Sequence, residues 1–347
     1  MSGRGYLILE DGTVFDGVSV GADAIAYGEA VFTTAMTGYQ EVVTDPSYAE
    51  QLVCFTAPMV GNYGVAPARS ESGGIHARAV LMRRAGGPDW TEWLARSGVV
   101  ALEEIDTRSL VLHLRERGAM RAAAVGVAAS KDVVLRAVRA QRAMAGRALV
   151  ATVSTRKVYR VGRSGPHVAV IDFGLKRSIL ARIVASGGRA TVFPHDVDAA
   201  TVLAARPDGI LLSNGPGDPA PLEKEVALVR ELVGRTPVLG ICLGHQLLGL
   251  AAGLATFKLP FGHRGANHPV LEIATNRVLV TSQNHGFAVT GDSREVTHVS
   301  LYDGTVEGLA FEGARSVQFH PEAGPGPHDA WPLLEAWMEE LRLAEAA

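Results

Sequence analysis

Lysine is scarce in this chain. Of its 33 basic residues only five are lysines, at positions 131, 157, 176, 224 and 258. We read the arginine excess as codon usage, because Arg-for-Lys exchange is not a general thermophile signature. Cysteine is scarcer still. Cys54 and Cys242 are the only two, which excludes a disulfide framework and fits a reducing compartment, the cytoplasm. Charge is also nearly balanced. A formal net charge of −3 over 347 residues gives no reason to expect a nucleic acid or an anionic membrane as partner. A secretory leader is not expected either, since Glu10 and Asp11 follow a very short apolar run. One window, "TPVLGICLGHQLLGLAAGLATFK" from Thr236 to Lys258, is long and apolar enough to suggest a bilayer span. His245 and Gln246 near its centre, and glycines throughout, favour a buried strand and helix instead.

What is present is ordinary for a globular chain: 47% hydrophobic and 20% charged residues, with a length that suggests two domains. Residues 1–153 read as a smaller mixed α+β domain. "GYLILEDGTVFDGVSV" pairs two β-prone runs across Asp11-Gly12. Helices are expected at "DTRSLVLHLRERG", capped by Asp106 or Thr107 and stopped at Gly118, and after Ser130. Cys54, in the apolar run "QLVCFT", reads as small core filler. The polar, basic stretch 154–166 reads as a linker. From His167 to residue 347 short apolar strands alternate with amphipathic helices, so this part is α/β, with a parallel-rich central sheet flanked by helices. Ligands of such sheets sit in the loops at the carboxyl ends of the strands.

Two of those loops carry chemistry-bearing residues. "NGPGDP", residues 214–219, has glycines that permit positive φ and close approach to a ligand, though a plain strand-to-helix turn would look the same. "GICLGHQ" places Cys242 between glycines at the end of an apolar strand, the shape of a nucleophile elbow with Cys in place of Ser. A helix N-terminus and a neighbouring imidazolium would both favour the thiolate. The Leu243 N–H would then face a developing oxyanion, and one such donor is worth roughly 3–4 kcal/mol of barrier. A lone buried cysteine is otherwise core packing, so partners decide the matter. In "SVQFHPEAGPGPHD", His320 and Glu322 flank a proline that holds the chain extended, so they can share a face. Glu322 can orient the His320 ring and His320 can polarise the thiol, giving a Cys–His–Glu triad. His245 and His285 compete for the role of base on sequence alone. His263 and His268 have no carboxylate or cysteine clustered with them, so no metal site is expected.

"GICLGHQ", "SNGPGDP", "QNHGF" and "HPEA", in this order, resemble the class I glutamine amidotransferases. "FTTAMTGYQEVVTDPSYAEQLV", "GNYG", "IDTRSLVLHLRERGAM", "DFGLKRSIL" and "PFGHRGANHPV" extend the resemblance to the carbamoyl-phosphate synthase small-chain family over nearly the whole chain. That resemblance implies hydrolysis of L-glutamine to glutamate and ammonia through a Cys242 thioester. It also implies that Gly215, Gly217 and Leu243 line the oxyanion and substrate pocket. Gln246, Asn284, Gly286 and Phe287 would hold the ends of the glutamine, and Ser47 in "TDPSY" would reach it from the N-terminal domain. No cofactor is expected in this chain. ATP, magnesium and bicarbonate would be bound by a large chain, the partner in a heterodimer or a higher oligomer, which receives the ammonia through a channel and makes carbamoyl phosphate for arginine and pyrimidine synthesis. Gly324 and Pro260 stand where the family more often has Ser and Lys. Two other readings compete: a stand-alone cysteine hydrolase of the γ-glutamyl peptidase type, and a silent regulatory glutaminase-like module. Intact Cys242, His320 and Glu322 count against the second.

Overall fold

A computed structural model describes residues 3–291 and 294–346. The chain divides into two units. One runs to Met144 and takes in Pro260–Gly265; the other comprises Ala145–Leu259 and the chain from Ala266 onward.

The first unit is built on seven strands that close into a barrel, in the order Gly3–Leu9, Val14–Ser19, Val100–Glu103, Ala79–Leu81, Gln51–Phe55, Ile25–Thr33 and Met120–Val125. The turn at Asp11-Gly12 forms, with Gly12 at φ 95° and its N–H donating to the Leu9 carbonyl oxygen. Alternate residues of the strands, among them Leu7, Leu9, Leu52, Leu81 and Leu102, fill one core with Leu110 and Leu114 of the helix Thr107–Arg117. Asp106 caps that helix by accepting the Ser109 N–H, and Gly118 ends it at φ 92°. Cys54 is fully buried in the same core, where burial pushes its thiol up, so it is the inert filler expected of it. Pro260–Gly265 counts with this unit because Ala119 donates to the Pro260 carbonyl oxygen, Phe261 stacks on Phe32, and Thr34 donates to that of Arg264.

The second unit holds a ten-stranded sheet. Five parallel strands form its middle: Arg189–Pro194, His167–Asp172, Gly209–Leu212, Val238–Ile241 and Ala314–Val317. Antiparallel strands extend it on both sides. The apolar runs bury both faces, as the alternation requires. Ala169, Ile171, Ile210, Leu212 and Val238 pack under residues of the helices Ala199–Ala204, Glu223–Leu232 and Leu243–Ala251. Val168, Val170, Leu211, Leu239 and Ile241 pack under those of Arg177–Ala185 and Trp331–Ala346.

The stretch 154–166 departs from its reading as a linker. Tyr159–Val161 pairs antiparallel with Arg189–Pro194, so this segment belongs to the second sheet and the chain divides earlier, after Met144. An edge strand with Tyr159 and Arg160 exposed has no apolar alternation to reveal it. Within residues 236–258, Val238–Ile241 and Leu243–Ala251 are the expected strand and helix, and a further strand starts at Thr256. Among the described residues no helix is long and apolar enough to cross a membrane.

Candidate active site

The buried strand Val238–Ile241 ends directly on Cys242, and the helix Leu243–Ala251 starts at the next residue. So abrupt a reversal holds Cys242 at φ 54°, ψ −102°, a region that L residues seldom occupy and that clusters at functional sites. Its flanking glycines are sterically required. A Cβ on Gly240 would lie 2.7 Å from the Gly244 carbonyl oxygen, and one on Gly244 would lie 2.2 Å from that of Leu212. Gly244→Ala should therefore push the helix off the sheet, costing about 1–3 kcal/mol and displacing Cys242. A urea midpoint and a glutaminase rate measured on one preparation check this; if both match the parent, the close fit is not what fixes the elbow.

His320 and Glu322 meet as their spacing predicts. His320 Nδ1 lies 2.7 Å from Glu322 Oε1, and both side chains are buried. The His320 N–H is anchored on the Ser282 carbonyl oxygen at 2.9 Å. The ring also interacts with the Cys242 thiol. That contact falls outside ordinary hydrogen-bond geometry, since Nε2 has no partner by that criterion and Sγ leans 3.7 Å towards the Asn284 carbonyl oxygen. Looseness of this kind is usual before substrate binds.

Lys176 completes the cluster, and sequence reasoning did not assign it a role. Its Nζ donates to Glu322 Oε1 at 2.8 Å and to the Gly324 carbonyl oxygen, and its side chain is 2% exposed. Its backbone N–H donates to Asn214 Oδ1, which ties it to the glycine loop. A usable signal existed: one of only five lysines stands just past the parallel strand His167–Asp172, where such sheets collect ligands.

These charges set the protonation states. Burial alone would favour a neutral His320, but the Glu322 carboxylate outweighs it and raises the ring to about 10, with Lys176 opposing. Burial would likewise raise Glu322. The Lys176 and His320 charges win, holding its carboxyl well below the usual carboxylate range. The ring is therefore an imidazolium at neutral pH. Because Lys176 opposes protonation of His320, Lys176→Met should raise His320 further. The alkaline limb of the glutaminase pH profile, where the imidazolium is lost, then moves to higher pH. Stability should fall by less than the roughly 3–5 kcal/mol of a fully orphaned buried charge, because Glu322 keeps His320 as its partner. An unmoved pH profile would sink the assignment even if stability fell.

The rival histidines face elsewhere. His285 Nδ1 donates to the Phe287 carbonyl oxygen at 2.8 Å, with Nε2 3.9 Å from Glu307. His245 shares a 2.9 Å hydrogen bond with Ser316, and burial drives its ring down to about 3, helped by His298.

Most of the remaining candidates gather near the elbow. Gly215 abuts Leu243: a Cβ there would be 2.8 Å from a Leu243 methyl and 2.3 Å from the Phe173 carbonyl oxygen. Leu243, first in its helix, has an N–H with no intrahelical acceptor. Gly217 is explained by its own chain, since at φ 92° a Cβ would lie 2.5 Å from the Arg147 carbonyl oxygen. Asn284, half-buried Gly286 and Phe287 lie on the strand Arg277–Val289. Gln246 uses its amide nitrogen internally, donating to the Phe287 carbonyl oxygen at 2.8 Å and to Gln318 at 3.0 Å, which leaves Oε1 of that side chain for a ligand. Ser47 lies in the first unit, buried in the turn Pro46–Tyr48, with its N–H donating to Asp45 Oδ1.

Known proteins of similar sequence identify the family. Residues 169–338 match the family "Glutamine amidotransferase class-I", and residues 7–124 match "Carbamoyl-phosphate synthase small chain, CPSase domain". The carbamoyl phosphate synthase small chain of Thioalkalivibrio sulfidiphilus is 45% identical, over 97% of each chain. This chain belongs to the carbamoyl phosphate synthase small-chain family. The relative of that name from Symbiobacterium thermophilum is 47% identical over 95% of this chain and 96% of its own. A pyrimidine-specific small chain from Lactiplantibacillus plantarum is 42% identical over 98% and 97%. As a member of the family this chain is a glutaminase subunit, and its second unit contains the amidotransferase domain.

Proposed function

We propose that Cys242, His320 and Glu322 hydrolyse L-glutamine and that the ammonia passes to a separate large chain for carbamoyl phosphate synthesis. The observation that carries the catalytic part is the buried run Lys176–Glu322–His320 beside a cysteine held in an elbow. The Cys242 thiolate adds to the carboxamide carbon, and the oxyanion forms against the Leu243 N–H and the Gly215 backbone. The His320 imidazolium gives its proton to the amide nitrogen, the C–N bond breaks and ammonia leaves. His320, now neutral, takes a proton from water as the hydroxide attacks the thioester, which releases the glutamate carboxyl group, whose proton goes to solvent, and restores the thiolate–imidazolium pair. Glu322 keeps the ring oriented and offsets its charge in both steps, and Lys176 keeps Glu322 ionised.

Gln246 Oε1, Asn284, Gly286 and Phe287 are the proposed contacts for the ends of the glutamine, with Gly217 shaping the loop. ATP, magnesium and bicarbonate belong to the large chain on this reading, and the heterodimer works in the cytoplasm. The small-chain names of the relatives support the partner, and the pyrimidine-specific relative supports service to pyrimidine synthesis. Co-purification with a large chain, and glutaminase assays with and without it, test the reading. Failure to associate would favour a stand-alone γ-glutamyl hydrolase.

A further inference from the structure

The turn that carries Glu322 has an unusual backbone. Ala323, the next residue, holds φ 53°, a left-handed conformation that a residue with a Cβ seldom takes and that persists only where its surroundings fix it. The peptide between Glu322 and Ala323 is fixed at both ends. Its N–H donates to the His320 carbonyl oxygen at 3.2 Å, and its carbonyl oxygen accepts from the indole N–H of Trp331 at 3.1 Å.

Trp331 is itself held in place. It opens the helix Trp331–Ala346, and its ring stacks on the His328 imidazole with centroids 3.5 Å apart. The Arg182 guanidinium lies 3.7 Å from the ring centre, an attractive arrangement for a cation and an indole face. Arg182 comes from the helix Arg177–Ala185 and also pairs with Glu335, one turn beyond Trp331. The indole is thus braced by a second helix before it reaches the catalytic turn.

We propose that Trp331 is a positioning residue, which aims the Glu322 carboxylate at His320 by holding the Glu322–Ala323 peptide. The inference rests on the triad reading above. A released carbonyl lets this peptide turn, and the Glu322 side chain moves with its backbone. The 2.7 Å contact with His320 Nδ1 tolerates little such movement. The groups that face His320 are Glu322, Lys176 and Cys242, and Glu322 is the one whose backbone Trp331 holds. A looser Glu322 raises the His320 ring less, so the alkaline limb of the pH profile moves to lower pH. That is opposite in sign to the shift expected of Lys176→Met.

Trp331→Phe keeps an aromatic ring against His328 and Arg182 and removes the N–H donor. In glutaminase assays on the full chain, kcat should fall about fivefold, one hydrogen bond's worth, with KM unchanged. The alkaline limb should move down by about half a pH unit. Arg182→Met leaves the donor but unbraces the indole from a half-buried position, and should give the same pattern with a smaller fall. Glu322→Gln separates this role from the triad itself. If that variant is unimpaired, the triad reading and this inference fail together. If it is impaired while Trp331→Phe matches the parent, the positioning role alone fails. A fall in kcat with an unmoved alkaline limb, or a rise in KM alone, also overturns it.

Discussion

Cys242→Ala should lose glutamine-dependent turnover by on the order of 10⁵-fold, while ammonia-dependent synthesis by the complex with the large chain continues. Alanine keeps a Cβ and hence the same backbone preference, so the φ 54° elbow stays as strained and as folded as before. Only Sγ is missing, and without it no thioester forms. Retained ammonia-dependent activity shows that the assembly survives and that the loss is chemical. Residual hydrolysis of glutamine in the purified variant would overturn the covalent route, whatever the rest of the site looks like.

The second large effect separates two histidines. His320→Asn should remove both the proton donor to ammonia and the base that activates water, lowering kcat by about 10³-fold or more, whereas His285→Asn should act chiefly on KM. The geometry dictates the difference. His320 is paired with Glu322 at 2.7 Å and interacts with the thiol, whereas His285 supports the Phe287 carbonyl oxygen at 2.8 Å. Steady-state kinetics on the two variants decide the matter, and a larger fall in kcat at His285 would reverse the assignment.

Much of this was legible in the sequence because the signals were local. Gly–x–Cys–x–Gly after an apolar run gave the elbow, and the proline between His320 and Glu322 put their side chains on one face. Alternating apolar runs gave the parallel sheet. Features that depend on distant pairing were not visible. The N-terminal strands read as α+β, and nothing local revealed that Met120–Val125 would pair with both Gly3–Leu9 and Ile25–Thr33 to close a barrel. Tyr159–Val161 was hidden because an exposed edge strand carries no burial pattern. Lys176 was missed because no spacing rule connects it to Glu322, which lies on a distant part of the chain; only folding brings them together. The choice among His245, His285 and His320 stayed open in the sequence because ring orientation depends on tertiary hydrogen bonds.

The elbow also sets a cost on its own nucleophile. Position 242 has a conformation that glycine adopts without a Cβ penalty and cysteine does not, a difference on the order of 1–3 kcal/mol. Glycine would relieve that strain, offset in part by its larger loss of chain entropy on folding. The backbone therefore holds a residue that it disfavours at the one point where the thiol is presented.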